Sequence, residues 1–475
     1  MPEISKHTKL VVIGAGPGGY VAAFLAADLG VEVTLIDAES NPGGVCLYRG
    51  CIPSKAFLHI AKVLDEAREL KNCGVEFSEP TISASKIRDW KQNMISKMTS
   101  NLGQLCKLRK INYIQGRATF VDSKTLKIDR ANGAQENLTF DHAILATGSR
   151  PITLPDLPDS KRILNSTTAL ELADIPKTLL VVGGGYIGLE LGTVYAALGT
   201  KVSVVEMTPG LLPGGDKDLT NILAKRLQKV FQDILLETKV TKIEEANNGL
   251  KVSFEASDKK QTQQEFDKVL IAIGRKPNSS GLGLENTKVK IDKKGFILIN
   301  AQRRTDDPSI YAIGDVAGEP MLAHKASHEG RVAVEAILGH KVAFEPKAIP
   351  AVVFTDPEIA WCGLTENEAQ KQNRPIKVTK FPWGASGRAT TLNRPEGITK
   401  LILDPETQHV LGVGIAGVGA GELISEGVLA VEMGALASDI KLSIHPHPTL
   451  SETFMESAEV FFGQSTHLYR PPKTS

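Results

Sequence analysis

The first apolar block of the chain, Leu10-Val11-Val12-Ile13, is short, unbroken and β-branched, which predicts a buried strand. It runs into Gly14-Ala15-Gly16-Pro17-Gly18-Gly19, where the pattern becomes that of a helix through about Leu29. A second block, Val33-Thr34-Leu35-Ile36, ends on Asp37. The same order recurs later. Leu179-Leu180-Val181-Val182 leads into Gly183-Gly184-Gly185-Tyr186-Ile187-Gly188, a helix to about Leu198, and Val202-Ser203-Val204-Val205 ending on Glu206. In both copies the acid lies 23 residues after the first glycine. Ala143-Ile144-Leu145-Ala146-Thr147-Gly148 closes the first unit, and Val269-Leu270-Ile271-Ala272-Ile273-Gly274 closes the second. Two such βαβ units predict two bound dinucleotides.

The copies are unequal. Gly14 to Gly148 spans 134 residues and Gly183 to Gly274 spans 91, so the first copy carries about 43 extra residues. A third strand signal, Ile310-Tyr311-Ala312-Ile313, ends in Gly314-Asp315 and is expected to return to the first unit. From about Ala351, short alternating strands such as Lys400-Leu401-Ile402-Leu403 and Val410-Leu411-Gly412-Val413 predict an antiparallel sheet with helices. The expected fold class is α/β, with two Rossmann-like dinucleotide-binding domains and a C-terminal α+β domain. The expected division is 1–150, 151–275, a central segment 276–350 that completes the first side, and 351–475.

Composition narrows the function. At 475 residues the length suits about three domains. A formal charge of +1, from 55 basic and 54 acidic residues, leaves no footprint for nucleic acid or an anionic membrane. No apolar run reaches the roughly 18 residues of a membrane span. Met1 to Lys9 is polar and shows neither a signal-peptide core nor an Arg-rich transit segment. Five cysteines are an odd and sparse set, so any disulfide is expected to be catalytic and the protein cytoplasmic.

The chemistry concentrates in the extra segment of the first unit, Gly43-Gly44-Val45-Cys46-Leu47-Tyr48-Arg49-Gly50-Cys51-Ile52-Pro53-Ser54-Lys55. Two cysteines this close, beside a dinucleotide turn, read as a dithiol/disulfide switch that passes two electrons to a flavin. On an ideal helix, positions i and i+5 lie roughly 8–9 Å apart, beyond the reach of a disulfide. The segment is therefore expected to be a distorted helix start, eased by Gly50. Lys55, one turn after Cys51, would favour its thiolate. Spacing alone leaves two unpaired buried cysteines as the alternative. Asp37 and Glu206 would accept hydrogen bonds from ribose hydroxyls. Met207-Thr208-Pro209-Gly210-Leu211-Leu212 offers no cation for a 2′-phosphate, which favours NAD over NADP. Near the end, His447 in His445-Pro446-His447-Pro448 is a candidate base for a thiol proton, with Glu452 to orient it. A proline turn capping a helix would look the same. Cys73, Cys106 and Cys362 stand alone, and no histidine completes a ligand pattern with them, so no metal is expected.

With these residues assembled, the chain resembles the class I pyridine nucleotide–disulfide oxidoreductases, and among them the dihydrolipoyl dehydrogenases, from Gly14 to Glu459. The segments GAGPGGYVAAF, GGVCLYRGCIPSK, GGGYIGLELG, YAIGDVAGEPMLAHKASHEG and HPHPTLSETFMESAE carry the resemblance. It implies FAD and NAD as cofactors and oxidation of protein-bound dihydrolipoamide to lipoamide. Cys46 would exchange with substrate, and Cys51 would lie against the flavin as a thiolate. Lys55 and Glu190 would pair near the flavin. Gly14, Gly16, Gly19, Asp37, Gly44, Thr147, Gly148, Asp315, Ala323 and the stretch from Gly116 to Ala118 would hold FAD. Gly183, Gly185, Gly188, Glu206, Val240 and the Gly274-Arg275 turn would line the NAD site. His447 and Glu452 would come from the other subunit, making the C-terminal domain a dimerisation domain and the protein a homodimer. Its partners would be lipoyl domains and the core acyltransferase of 2-oxo acid dehydrogenase complexes, or the lipoyl carrier of glycine cleavage.

Two positions depart from that pattern: Tyr48 stands where Asn is usual, and Cys362 where Val is usual. Tyr48 is expected to bear on substrate access or on the helix distortion, and Cys362 to fill a core site. Glutathione-reducing relatives need basic residues after the second βαβ strand, and mercuric reductases need a C-terminal cysteine pair. The stretch Thr466 to Ser475 has none. A regulatory flavoprotein without turnover would not need both cysteines together with His447 and Glu452.

Overall fold

The computed structural model describes residues 6–469. The polar start and the cysteine-free end read from the sequence lie partly outside them. The first unit begins with β1 (Lys6–Ile13), α1 (Pro17–Asp28) and β2 (Val33–Asp37). Three helices follow: α2 (Gly44–Arg49), α3 (Cys51–Glu69) and α4 (Ala84–Leu108). They fill the crossover to β3 (Asn112–Asp122), which locates the extra residues of the first copy. A meander through β4 (Thr125–Arg130) and β5 (Gln135–Leu145) completes the unit. The two long strands serve twice. The first half of β3 pairs parallel with β2 and the second half antiparallel with β4; β5 pairs with β4 first and then parallel with β1.

A short strand, β6 (Ser149–Pro151), leads to the second unit. It contains β7 (Ile163–Leu164), α5 (Ser166–Ala169, capped by Asn165), β8 (Thr178–Val182), α6 (Tyr186–Ala197) and β9 (Lys201–Val205). Then come α7 (Lys217–Val230), β10 (Asp233–Leu235), a meander of β11 (Thr238–Ala246), β12 (Gly249–Ala256) and β13 (Gln261–Phe266), and β14 (Lys268–Ile271). Its sheet order, β10-β9-β8-β14-β7, is parallel throughout. The first unit repeats this arrangement as β3-β2-β1-β5, completed when β16 (Ile310–Ala312) pairs parallel with β5. Between them, β15 (Arg275–Pro277) pairs antiparallel with β6, so the closing segments of the two repeats join each other. Leu10, Val11 and Val12, like Leu179, Leu180 and Val181, are buried on both faces of their sheets, which is why each reads as an unbroken apolar run.

After α8 (Ala323–Ile337), which packs on α1, the chain builds an antiparallel sheet of order β17-β18-β21-β20-β19. The elements are β17 (Ala351–Val353), β18 (Glu358–Gly363), α9 (Glu366–Lys371), β19 (Lys377–Pro382), α10 (Gly387–Thr391), β20 (Ile398–Leu403) and β21 (Val410–Gly417). They are followed by α11 (Ala420–Met433), α12 (Ala437–Leu442) and α13 (Glu452–Phe462). The alternation expected of these strands implies one wet face. Instead β20 is buried at Thr399, Lys400, Leu401 and Ile402 alike. Helices of the C-terminal part and α7 of the second unit both pack on this sheet. The fold is thus α/β, with two nucleotide-binding-type units and a C-terminal α+β domain. Among the described residues no helix is long and apolar enough to cross a membrane.

Candidate active site

Each glycine-rich turn is built at the limit of steric tolerance. At Gly14 (φ +101°) a Cβ would sit 2.3 Å from the Ala146 carbonyl oxygen; at Gly183 (φ +109°) it would sit 2.5 Å from that of Ala272. A Cβ at Gly19 would collide with the Gly14 carbonyl, and one at Gly188 with that of Gly183, so the helices pack directly on their turns. The acids complete the repeat. Asp37 accepts from the backbone N–H groups of Ala15 (2.6 Å) and Glu39 (2.9 Å); Glu206 accepts from those of Gly184 (2.6 Å) and Thr208 (2.8 Å). Each carboxylate braces its own turn, and its oxygens keep further lone pairs for a ribose. Burial pushes the Asp37 carboxyl above its ordinary range, against the Ala15 hydrogen bond and the charge of Arg49.

A cavity of about 400 Å³ opens beside the first turn. Gly14, Gly16 and Asp37 line it, with Thr147, Gly148 and Asp315. So do Gly44, Cys46, Cys51 and Lys55 from the cysteine segment, Glu190 from α6, and Ala323 at the start of α8. Gly19 does not line it. Ala118 is buried in the core around β3, and its neighbour Arg117 reaches the cavity. Gly183, Gly185, Gly188, Glu206, Val240 and Gly274 belong to the second unit and do not line it. Val240 packs on that unit's core from β11.

The cysteine segment is two helices, with the break at Gly50 between the thiols. A Cβ at Gly50 would lie 2.9 Å from the Val45 carbonyl oxygen and 3.4 Å from the Cys46 Cα. The break brings together sulfurs that a regular helix would hold apart, and the Cys46 thiol hydrogen-bonds Cys51. That bond, with Lys55 and the Cys51 backbone N–H, lowers the Cys51 thiol to about 7 against the opposing effect of burial. Donating it, together with burial and the nearby Cys51 charge, raises the Cys46 thiol. Of the two, Cys51 is the thiol that Lys55, one helical turn on, favours as thiolate. The surface Cys51 exposes faces the cavity.

Lys55 ties three parts of the chain together. Its Nζ is 2.8 Å from Glu190 Oε2 and 4.5 Å from the centre of the Phe354 ring, while Glu190 Oε1 accepts from the Phe354 N–H at 3.0 Å. Nothing in the sequence pattern marks Phe354. Asp315 accepts from Ser149 Oγ at 2.5 Å, and Arg275 Nε donates to the same hydroxyl at 2.7 Å, joining the paired repeat ends to the cavity. The resemblance assigns the Gly274-Arg275 turn to the NAD site; Arg275 reaches the cavity beside the first unit. Tyr186, also on the lining, is raised to about 12 by burial. Tyr48 does not line the cavity; its hydroxyl donates to the Asn41 carbonyl at 3.0 Å. Cys362 is buried in β18, where burial raises its thiol to about 12.

The remaining pair stands apart. His447 Nδ1 is 2.9 Å from Glu452 Oε1, and Glu452 Oε2 accepts from the Thr449 N–H at 2.7 Å. Burial works against the Glu452 charge, but the Thr449 and His447 hydrogen bonds outweigh it and hold the carboxyl below its ordinary range. The His447 side chain is 75% exposed and does not line the cavity of its own chain. Its neighbour His445 is nearly buried, held between Glu426 Oε1 (2.8 Å) and the Ser443 carbonyl (2.9 Å).

Residues 8–330 match the family described as pyridine nucleotide-disulphide oxidoreductase, and residues 349–458 match its dimerisation domain. The chain belongs to this family. It is similar to the dihydrolipoyl dehydrogenase of Haemophilus influenzae, with 49% identity over 97% of this chain and 96% of that one. It is also similar to the enzyme of the same name from Bacillus subtilis, with 44% identity over 98% of each. Among solved structures, LpdA from Mycobacterium tuberculosis superposes with a TM-score of 0.88 at 27% identity, covering 95% of this chain and 99% of the other. The HOCl-induced flavoprotein disulfide reductase RclA from Escherichia coli superposes with a TM-score of 0.85 at 26% identity, covering 96% and 99%. As a pyridine nucleotide-disulphide oxidoreductase, the chain is a flavoprotein that uses FAD and NAD. The bare backbone at Gly14 and Gly16, opening the first helix, suits the pyrophosphate of such a cofactor.

Proposed function

We propose that this protein oxidises protein-bound dihydrolipoamide to lipoamide and reduces NAD⁺ to NADH. The observation that carries this reading is the placement of the dithiol: Cys46 and Cys51 share one cavity with Lys55, Glu190 and the first glycine-rich turn. The substrate assignment follows the names of the curated relatives.

His447, oriented by Glu452 and contributed across a homodimer, takes a proton from a substrate thiol. The thiolate attacks Cys46 of the Cys46–Cys51 disulfide, and Cys51 leaves as a thiolate stabilised by Lys55. The second substrate thiol, deprotonated in turn, attacks the mixed disulfide; lipoamide leaves and Cys46 takes up a proton. Two electrons now reside on the cysteine pair. FAD supplies the two-electron acceptor between Cys51 and NAD⁺. Splitting the chemistry this way gives ping-pong kinetics. Asp37, Thr147, Gly148, Asp315 and Ala323 hold FAD, within 1–150 and 276–350. Gly183, Gly185, Gly188, Glu206, Val240 and Gly274 hold NAD, within 151–275. Residues 351–475 form the dimerisation domain. The partners are lipoyl domains and the core acyltransferase of 2-oxo acid dehydrogenase complexes, in the cytoplasm.

Cys46→Ser tests the assignment. The variant is expected to purify yellow and FAD-loaded but to oxidise no dihydrolipoamide; normal turnover would refute it.

A further inference from the structure

The two repeats meet where their closing strands pair. Pro277 of β15 stands opposite Ser149 of β6, and Arg275 opposite Pro151. Side chains stitch the strands from both directions. Arg150 of β6 donates from Nη1 to the Pro277 carbonyl and to Asn278 Oδ1, both at 2.9 Å. Arg275 of β15 reaches back, with Nη2 on the Ser149 carbonyl and Nε on the Ser149 hydroxyl, both at 2.7 Å. One guanidinium of the second unit thus grips Ser149 of the first twice.

The direction of the next bond follows from counting donors. A guanidinium has donors and no acceptor, so the Ser149 hydroxyl oxygen accepts from Arg275. Its single proton is left to give, and it goes to Asp315 Oδ2 at 2.5 Å. Ser149 is 3% exposed, which keeps solvent from competing for that hydroxyl. A cationic donor and an anionic acceptor on one hydroxyl strengthen each other's bond. Asp315 lines the cavity, and among the described residues only Ser149 hydrogen-bonds its carboxylate. The backbone of its turn is held separately, by the Gly314 N–H on Glu329 Oε2 at 2.7 Å. Loss of the Ser149 bond would therefore free the carboxylate without releasing the turn.

We propose that Arg275 is a positioning residue for Asp315, acting through the Ser149 hydroxyl, so that a side chain of the second unit sets how firmly the first unit holds FAD. The inference rests on the reading of Asp315 as an FAD-holding residue. With one oxygen fixed by Ser149, the carboxylate keeps the other for a hydroxyl of the cofactor. Without that bond its rotamers spread, and the acceptor must be ordered anew each time FAD binds.

The test is the rate at which FAD leaves the holoprotein, read as flavin fluorescence recovered after dilution. Ser149→Ala, Arg275→Met and their double variant are compared with Arg150→Met and Asp315→Ala. Ser149→Ala and Arg275→Met should each speed release about 5–10-fold, and the double variant no more than either alone. Arg150→Met removes two bonds between the same strands but none to Ser149, and should change release by less than about 2-fold. Release at the parent rate in either single variant overturns the inference. So do effects that multiply in the double variant, which would put Arg275 directly on FAD. Equal acceleration in Arg150→Met overturns it too, since it would mean that the strand pair merely loosens. An Asp315→Ala protein that keeps FAD as long as the parent instead overturns the reading of Asp315, so the two failures are separable.

Discussion

Cys46 and Cys51 differ because their surroundings differ, although both stand in one segment and line one cavity. Lys55 sits one helical turn after Cys51 and favours its thiolate. Lys55→Met should therefore raise the pKa of Cys51 in the reduced protein by about one unit, read as the pH titration of thiolate absorbance. The sign follows from the value near 7: Cys51 is largely anionic at higher pH and a thiol at lower pH, and loss of the cation shifts that boundary upward. An unmoved titration contradicts the part given to Lys55. At the other pair, His447→Gln should lower turnover by about 10²–10⁴-fold, the usual contribution of a positioned base. An unchanged rate removes His447 from the mechanism. Both cysteines, the lysine and the His447–Glu452 pair were legible in the sequence because reactive residue types stood at telling intervals. Phe354 was not, since an aromatic whose backbone N–H holds Glu190 looks like any core residue.

At the scale of elements, the break between α2 and α3 is what permits a disulfide across five positions. A distorted helix start was expected at Gly50, and the structure makes it a full interruption. Gly50→Ala should cost about 1–3 kcal/mol, because the added Cβ meets backbone rather than a side chain that can swing away. Urea unfolding of the reduced protein measures it, and a stability equal to the parent would show that the close approach is not needed. The two βαβ units were legible to within a residue or two at the helix ends, because parallel strands buried on both faces leave unbroken apolar runs. The doubled use of β3 and β5 was not. A strand that changes partner midway keeps one continuous pattern in sequence. The pairing of β6 with β15 was likewise hidden, since each is three residues long and their partnership depends on the two units meeting.

Across the whole molecule, the second unit and the C-terminal sheet are joined by Lys400, which is 1% exposed and lies 2.7 Å from Asp216, Asp218 and Glu366. Asp216 also accepts from the N–H groups of Glu366 and Asn367 at the start of α9. In the sequence Lys400 reads as the wet position of an alternating strand, because nothing local reveals that α7 covers that face. Lys400→Met leaves the acids without their cation and should cost about 3–5 kcal/mol in thermal or urea unfolding. Burial works against the Asp218 charge, but Lys380 and Lys400 outweigh it and hold the carboxyl below its ordinary range. Its contribution is therefore present above the unfolded value near 4 and lost as pH falls through the folded one, a dependence that should flatten in the variant. A parent-like stability would contradict the latch. The central claim is the reaction itself, and following NADH formation from dihydrolipoamide with NAD⁺, beside an NADP⁺ control, tests it most directly. Sustained turnover with NAD⁺ and little with NADP⁺ is predicted. A yellow, FAD-loaded dimer that forms no NADH from dihydrolipoamide would contradict the account.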